Sequence, residues 1–219
     1  NTAGNQNIHV GFPLTVCGLR KEDQAAVVEL GVSMPGEMAG IAAVVMPDYA
    51  VITNIGVSHI EYLKTQENIM AEKLHIADYI TGDGVLFVNG DDPLLHSLKG
   101  SYKGTLITFG VGRDCDAVAS DISQAANGTF FTCRFRGEQK QVFVPAAGVH
   151  NVRNALCSIA VARTLCAVMD HVNLVFAPFK PPAMPHEFVL LSGFTVIEDS
   201  YTATPDYVPG PIAILFTAQ

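Results

Sequence analysis

The sequence predicts an α/β chain: a mostly parallel sheet flanked by helices, a small antiparallel annex, and the start of a second α/β domain. Three observations carry this reading. From residue 25 to about 110, short apolar runs alternate with helical patterns, as in a parallel sheet covered on both faces. From 116 to 146, strand-like runs follow one another with no helical segment between them. Around residues 177–186 the proline-rich "FAPFKPPAMPHE" breaks all periodicity, which marks a linker. Two units are therefore expected, residues 1–176 and residues 177–219.

In chain order, "AAVVEL" (25–30), "YAVITNIG" (49–56), "GVLFVNG" (84–90) and "TLITFG" (105–110) read as strands, with a helix over about 66–80 after the second. "DAVASDI", "TFFTCRF" and "KQVFVPA" then form the annex, and Asn127-Gly128 is a two-residue hairpin signal. That pair opens a glycosylation sequon with Thr129, but the turn reading wins in a chain that shows no signal peptide. "VRNALCSIAVARTLCAVM" places Leu156, Ile159, Ala160, Leu165 and Val168 at helical spacing, with His150 and Asn151 at the helix start, where Asn is a favoured cap. After the linker, "FVLLSGFTVIEDS" reads as a strand hairpin.

Bulk properties narrow the function. With 219 residues, 49% hydrophobic and 16% charged, the chain is expected to fold around a sizeable core. A formal net charge of -8 argues against general affinity for nucleic acid or anionic membrane. Five scattered cysteines without a CxxC pair make a poor disulfide framework, so a reducing cytoplasm is the expected setting. No apolar run is long enough to span a membrane. The chain begins without methionine, which reads as a piece of a longer or processed protein.

No GxxxxGK[ST] loop and no GxGxxG after a strand occurs, so the usual phosphate cradles are absent. Glu29 ends the run "AAVVEL", His59 lies just past "AVITNIG", and Lys73 lies on the following helix. Ligands in open α/β sheets collect at the carboxyl ends of strands, which favours the first two positions. A carboxylate and a neutral imidazole can share a divalent cation, whereas an ammonium cannot. Lys73 fits there only as a counter-charge to phosphate or as an anionic carbamate. Each residue also has a plain alternative: a solvent-facing strand end, a loop or cap histidine, a solvated helix charge. Asn151 and Asn154 share a helix face and could offer amides to a base or ribose, although Asn151 could simply cap the helix. Asp199 and Tyr201 follow a second strand end, where a turn is the default.

Five blocks in order, "NTAGNQNIHVGFPLT", "VVELGVSMPGEM", "AVITNIGVSHIE" with "AEKLHI", "GVHNVRNALCSIAVA" and "VIEDSYTATPD", resemble the Mur ligase family from residue 1 to about 206. The resemblance is strongest to the branch that joins D-Ala-D-Ala to UDP-MurNAc-tripeptide for peptidoglycan synthesis. It implies that Glu29 and His59 bind Mg2+ and that Lys73 is carbamylated beside the same metal. It also implies that Asn151 and Asn154 contact the adenine side of ATP, and that Asp199 approaches the nucleotide from a C-terminal domain. Asn5 and Asn7 fall in the opening block, near phosphates or substrate. The family's phosphate loop lies shortly before that block, so the chain is expected to start after it.

The implied reaction is ATP-dependent amide-bond formation through an acyl phosphate, carried by a monomer in the cytoplasm. Several positions depart from the pattern. Ile8 follows Asn7 where a second asparagine is usual, Met184 and Pro185 stand where an arginine is expected, and Thr202 and Thr204 replace two asparagines. The alternatives are a non-catalytic remnant, or a ligase of the folylpolyglutamate or cyanophycin synthetase kind.

Overall fold

The computed structural model describes residues 18–112, 114–179, 186–191 and 194–199. Glu37–Val45 forms helix α1 and Tyr49–Ile52 forms strand β1. Two helices follow, α2 over Ile60–Leu63 and α3 over Gln66–Leu74, and a 3-10 turn over His75–Tyr79 leads to β2, Val85–Asn89. The short α4 spans Pro93–His96. Strands β3 (Thr105–Val111), β4 (Ala117–Ala125), β5 (Gly128–Phe135) and β6 (Glu138–Val144) precede the long helix α5, Val149–Thr164. Helix α6 covers Val172–Phe176, and β7 (His186–Leu191) pairs antiparallel with β8 (Phe194–Asp199).

One sheet contains β1 to β6 in sequence order, parallel from β1 through β4 and antiparallel from β4 through β6. The expected antiparallel annex is β4 to β6, which continues the main sheet. Alternation along β2 explains its wholly apolar run: Val85 and Phe87 face one core, Leu86 and Val88 the other. The first core lies under α5, whose Val152, Ala155, Leu156, Ile159 and Ala160 recur at helical spacing. The second gathers Met38, Ile41 and Ala42 of α1, Ile69 of α3 and Leu95 of α4. Among the described residues no helix is long and apolar enough to cross a membrane.

Four sequence expectations change. Residues 25–30 form no strand among the described residues; Val28 and Leu30 instead pack against the second core without a ladder. Ala25, Ala26 and Val27 are exposed, Val27 at 81%, so the first half of the run marks neither a ladder nor a buried segment. The helix expected over 66–80 is α only to Leu74, and its last turn tightens to 3-10. Leu165 and Val168 lie past the end of α5 and are about half exposed, at 52% each. The β4–β5 turn is Ala126-Asn127, with Gly128 already opposite Ala125. A second tight hairpin, at Arg136-Gly137, has positive φ at both positions (51° and 79°), the signature of a type I′ turn.

Candidate functional site

Because β1, β2 and β3 run parallel, their carboxyl ends share one edge of the sheet. Loop 53–59 leaves β1 there and the turn Asn89-Gly90-Asp91-Asp92 leaves β2. Arg153 of α5 donates from Nε to Asp91 Oδ2 at 2.7 Å, which brings the start of that helix to the same edge.

Loop 53–59 is held at two consecutive peptide groups. Lys73 Nζ donates to Asn54 O at 3.0 Å, Ile55 N–H donates to Asp92 Oδ2 at 2.7 Å, and Gln66 Nε2 donates to Ile55 O at 2.9 Å. Burial holds the Lys73 amine below its ordinary value, and the Asp92 carboxylate opposes that shift only in part. Lys73 is thus no solvated helix charge. Its neighbour Glu72 is buried and accepts Gly36 N–H and Met38 N–H at 2.8 Å each, so α3 also fastens the start of α1. That carboxylate satisfies free donors at a helix N-terminus.

His59 closes the loop with φ 61°, an uncommon conformation for a residue with a side chain. Its backbone carbonyl accepts Tyr62 N–H and Leu63 N–H, and its exposed ring has no partner among the described residues. Strain of this kind, about 1–3 kcal/mol, persists where surrounding contacts over-determine it, and it collects at functional positions. Glu29 is exposed in the irregular segment before α1, also without a described partner. Among the described residues no three acidic, histidine or cysteine side chains converge to hold a metal.

At the start of α5 the cap is Gly148, not Asn151; a side chain there would meet the His150 ring at 2.8 Å, and φ is 96°. Asn151 is the third helical residue. Its Nδ2 donates to Ala147 O at 2.7 Å and lies 3.0 Å from His150 Nε2. With both amide hydrogens engaged, its Oδ1 is left as an acceptor. Burial, reinforced by the Arg153 charge, lowers the His150 pKa and favours the neutral ring that can accept from Asn151. Asn154, one helical turn on, is exposed.

Asp199 is the last residue of β8, opposite His186. Asn5, Asn7, Tyr201, Met184, Pro185, Thr202 and Thr204 lie outside the described residues. Sequence reasoning missed Asp91 and Asp92. The signal was "NGDDP" directly after an apolar strand, where an aspartate before proline is a ready helix cap. Asp92 does cap α4, accepting Leu94 N–H and Leu95 N–H at 2.9 and 3.2 Å.

The model of the Mur ligase middle domain matches residues 1–162. The chain belongs to the Mur ligase family. It is 36% identical over 214 residues to the UDP-N-acetylmuramoyl-tripeptide–D-alanyl-D-alanine ligase of Bacillus subtilis, an alignment covering 97% of this chain and 46% of that ligase. The ligase of the same name from Escherichia coli is 27% identical, with coverages of 98% and 48%. Among solved structures, MurF from Acinetobacter baumannii superposes with a TM-score of 0.87 at 27% identity, covering 98% of this chain and 47% of MurF. MurF from Thermotoga maritima, solved in complex with ADP, gives 0.83 at 26% identity, with coverages of 98% and 50%. A folylpolyglutamate synthetase of L. casei shares the fold at 19% identity and TM-score 0.66, covering 89% of this chain and 47% of that one. The chain spans about half the length of the curated relatives it matches.

Proposed function

We propose that this Mur ligase chain is the nucleotide-binding part of a cytoplasmic, ATP-dependent ligase that adds D-Ala-D-Ala to UDP-MurNAc-tripeptide. One observation carries the reading: the chain is similar along 97% of its length to a ligase named for that reaction. The geometry supports it, since loop 53–59, the NGDD turn and the start of α5 meet at the carboxyl edge of parallel strands. We assign residues 1–176 to the ATPase unit, and 177–219 to a linker with the start of the ligase's C-terminal unit.

Of the two residues assigned to hold magnesium, Glu29 would supply the hard oxygen that the ion prefers and His59 an imidazole nitrogen. Mg2+ takes hard oxygen ligands from one or two carboxylates and completes its shell with waters and substrate phosphates, so the lack of a three-residue cluster among the described residues is no obstacle. Glu29 and His59 would hold it, with Lys73 contributing once carbamylated. When bound, the ion neutralises charge that develops as the phosphoryl group moves to the tripeptide carboxylate. The chain's own residues orient the partners. Lys73, Asp92 and Gln66 fix the loop that ends in His59. Asn151 offers an acceptor oxygen to an exocyclic amine, and Asn154 a second amide on the same face. Asn5 and Asn7 would lie near phosphates, and Asp199 would reach the nucleotide from the second unit.

Photolabelling with 8-azido-ATP tests the assignment. The label should fall on the peptide containing Asn151 and Asn154 and be displaced by ATP; a label elsewhere, or one that ATP does not displace, would sink it. A second reading, a non-catalytic remnant, is favoured by Met184, Pro185, Thr202 and Thr204 at the family's usual arginine and asparagine positions. Absence of any magnesium-dependent ATP binding would support that reading.

A further inference from the structure

Two adjacent carboxylates at the end of β2 reach two different parts of the site. Asp92 uses Oδ1 to cap α4, yet its Oδ2 takes the N–H of Ile55, 37 residues away, in the loop that ends at His59. Helix capping alone requires only one of these oxygens. Asp91 points elsewhere: its Oδ2 accepts Val111 N–H at 2.8 Å, at the end of β3, and Arg153 Nε at 2.7 Å, on α5. Its own N–H is held by Asn89 Oδ1 at 3.0 Å. The side chain is only 10% exposed, and Gly110 makes room for it, since a Cβ there would lie 2.7 Å from Asp91 Oδ1. Neither carboxylate is free for an anionic ligand, and bare carboxylates facing a nucleotide's phosphates would repel them. Three of their four oxygens instead face backbone N–H groups or a guanidinium, while Asp91 Oδ1 is buried without a partner among the described residues.

We propose that Asp91 and Asp92 are paired positioning residues. Asp92 sets the loop carrying His59, Asp91 sets the start of α5 carrying Asn151 and Asn154, and one rigid turn fixes the spacing between the two halves of a bound nucleotide. This rests on the nucleotide reading above. It follows from covalent geometry, because neighbouring residues cannot drift apart and anything each one grips inherits that constraint. Binding constellations need their members held within about 0.5 Å, which loops alone rarely achieve.

The test compares the chain with its Asp91→Asn and Asp92→Asn variants by calorimetric titration with ATP plus Mg2+, ATP plus chelator, and adenosine. Hydrogen exchange at the Ile55 and Val111 amides is followed in parallel. Asp92→Asn should weaken ATP about tenfold only when Mg2+ is present, leave adenosine unchanged, and speed exchange at Ile55 alone. Asp91→Asn should weaken adenosine and ATP about equally, with or without Mg2+, and speed exchange at Val111 alone. A general loss of packing would lower every affinity together and loosen both amides, and that result overturns the proposal. So does unchanged affinity in both variants while the parent chain binds. A parent chain that binds neither ATP nor adenosine refutes the nucleotide reading itself, and the proposal with it. Should an asparagine variant fail to fold, Asp92→Ser, which keeps a capping oxygen, and Arg153→Met, which removes the α5 partner of Asp91, carry the same comparison.

Discussion

Lys73 and Asp92 grip opposite ends of one peptide group: the lysine donates to the carbonyl of Asn54 at 3.0 Å and the aspartate accepts the N–H of Ile55 at 2.7 Å. A single peptide plane held from both sides cannot rotate, so the loop leaving β1 has a fixed exit direction. That direction delivers His59, whose left-handed backbone then starts α2.

The lysine in this grip should be reactive towards carbon dioxide. Burial lowers its pKa from an ordinary 10.5, so the neutral amine appears at lower pH than on a surface lysine. The amine adds CO2 to give a carbamate and releases one proton. With 13C-labelled bicarbonate, NMR should show a carbamate resonance that grows as pH rises through the lowered pKa and is missing in Lys73→Arg. A spectrum identical in the two proteins would count against carbamylation.

Glu72 should matter for stability and not for ligand contact. Its buried carboxylate takes two N–H groups at the start of α1, and Glu72→Ala leaves both without that partner. We expect a loss of about 2–3 kcal/mol in urea-unfolding free energy. A loss below about 0.5 kcal/mol would mean that water replaces the carboxylate without cost.

His150 gives an acid-side signature. Its folded pKa lies below the ordinary 6.5 of the unfolded chain. As pH falls through 6.5 the unfolded state gains a proton that the folded state does not, so stability drops until the lower folded value is reached. His150→Gln keeps an acceptor without titrating. The stability difference between parent and variant should therefore shift against the parent between pH 7.5 and pH 5.5, read from urea midpoints; a pH-independent difference would show that the ring is not held neutral.

Much of the fold was legible because periodicity follows burial. The wholly apolar "VLFV" of β2, set between helical patterns, matched a strand covered on both faces, and the spacing of Leu156, Ile159 and Ala160 matched the buried face of α5. "AAVVEL" failed because only Val28 and Leu30 of the run reach the core, and a ladder depends on a neighbour that local sequence does not name. The candidate site was legible in its blocks but not in its supports. Asp91 and Asp92 act through contacts 20 to 62 residues away, which no local pattern encodes. Asn151 looked like a cap because a cap and an early helical position differ by only a few residues, and Gly148 decided the register through its positive φ.

The central claim is that the carboxyl edge of the parallel strands binds ATP with magnesium, and calorimetric titration of the chain with ATP, with and without Mg2+, tests it most directly. The account predicts one saturable site whose affinity falls at least about tenfold, or 1.4 kcal/mol, when Mg2+ is removed, and falls similarly in Glu29→Gln with Mg2+ present. No saturable heat with Mg2+, or binding indifferent to both Mg2+ and Glu29, would contradict it.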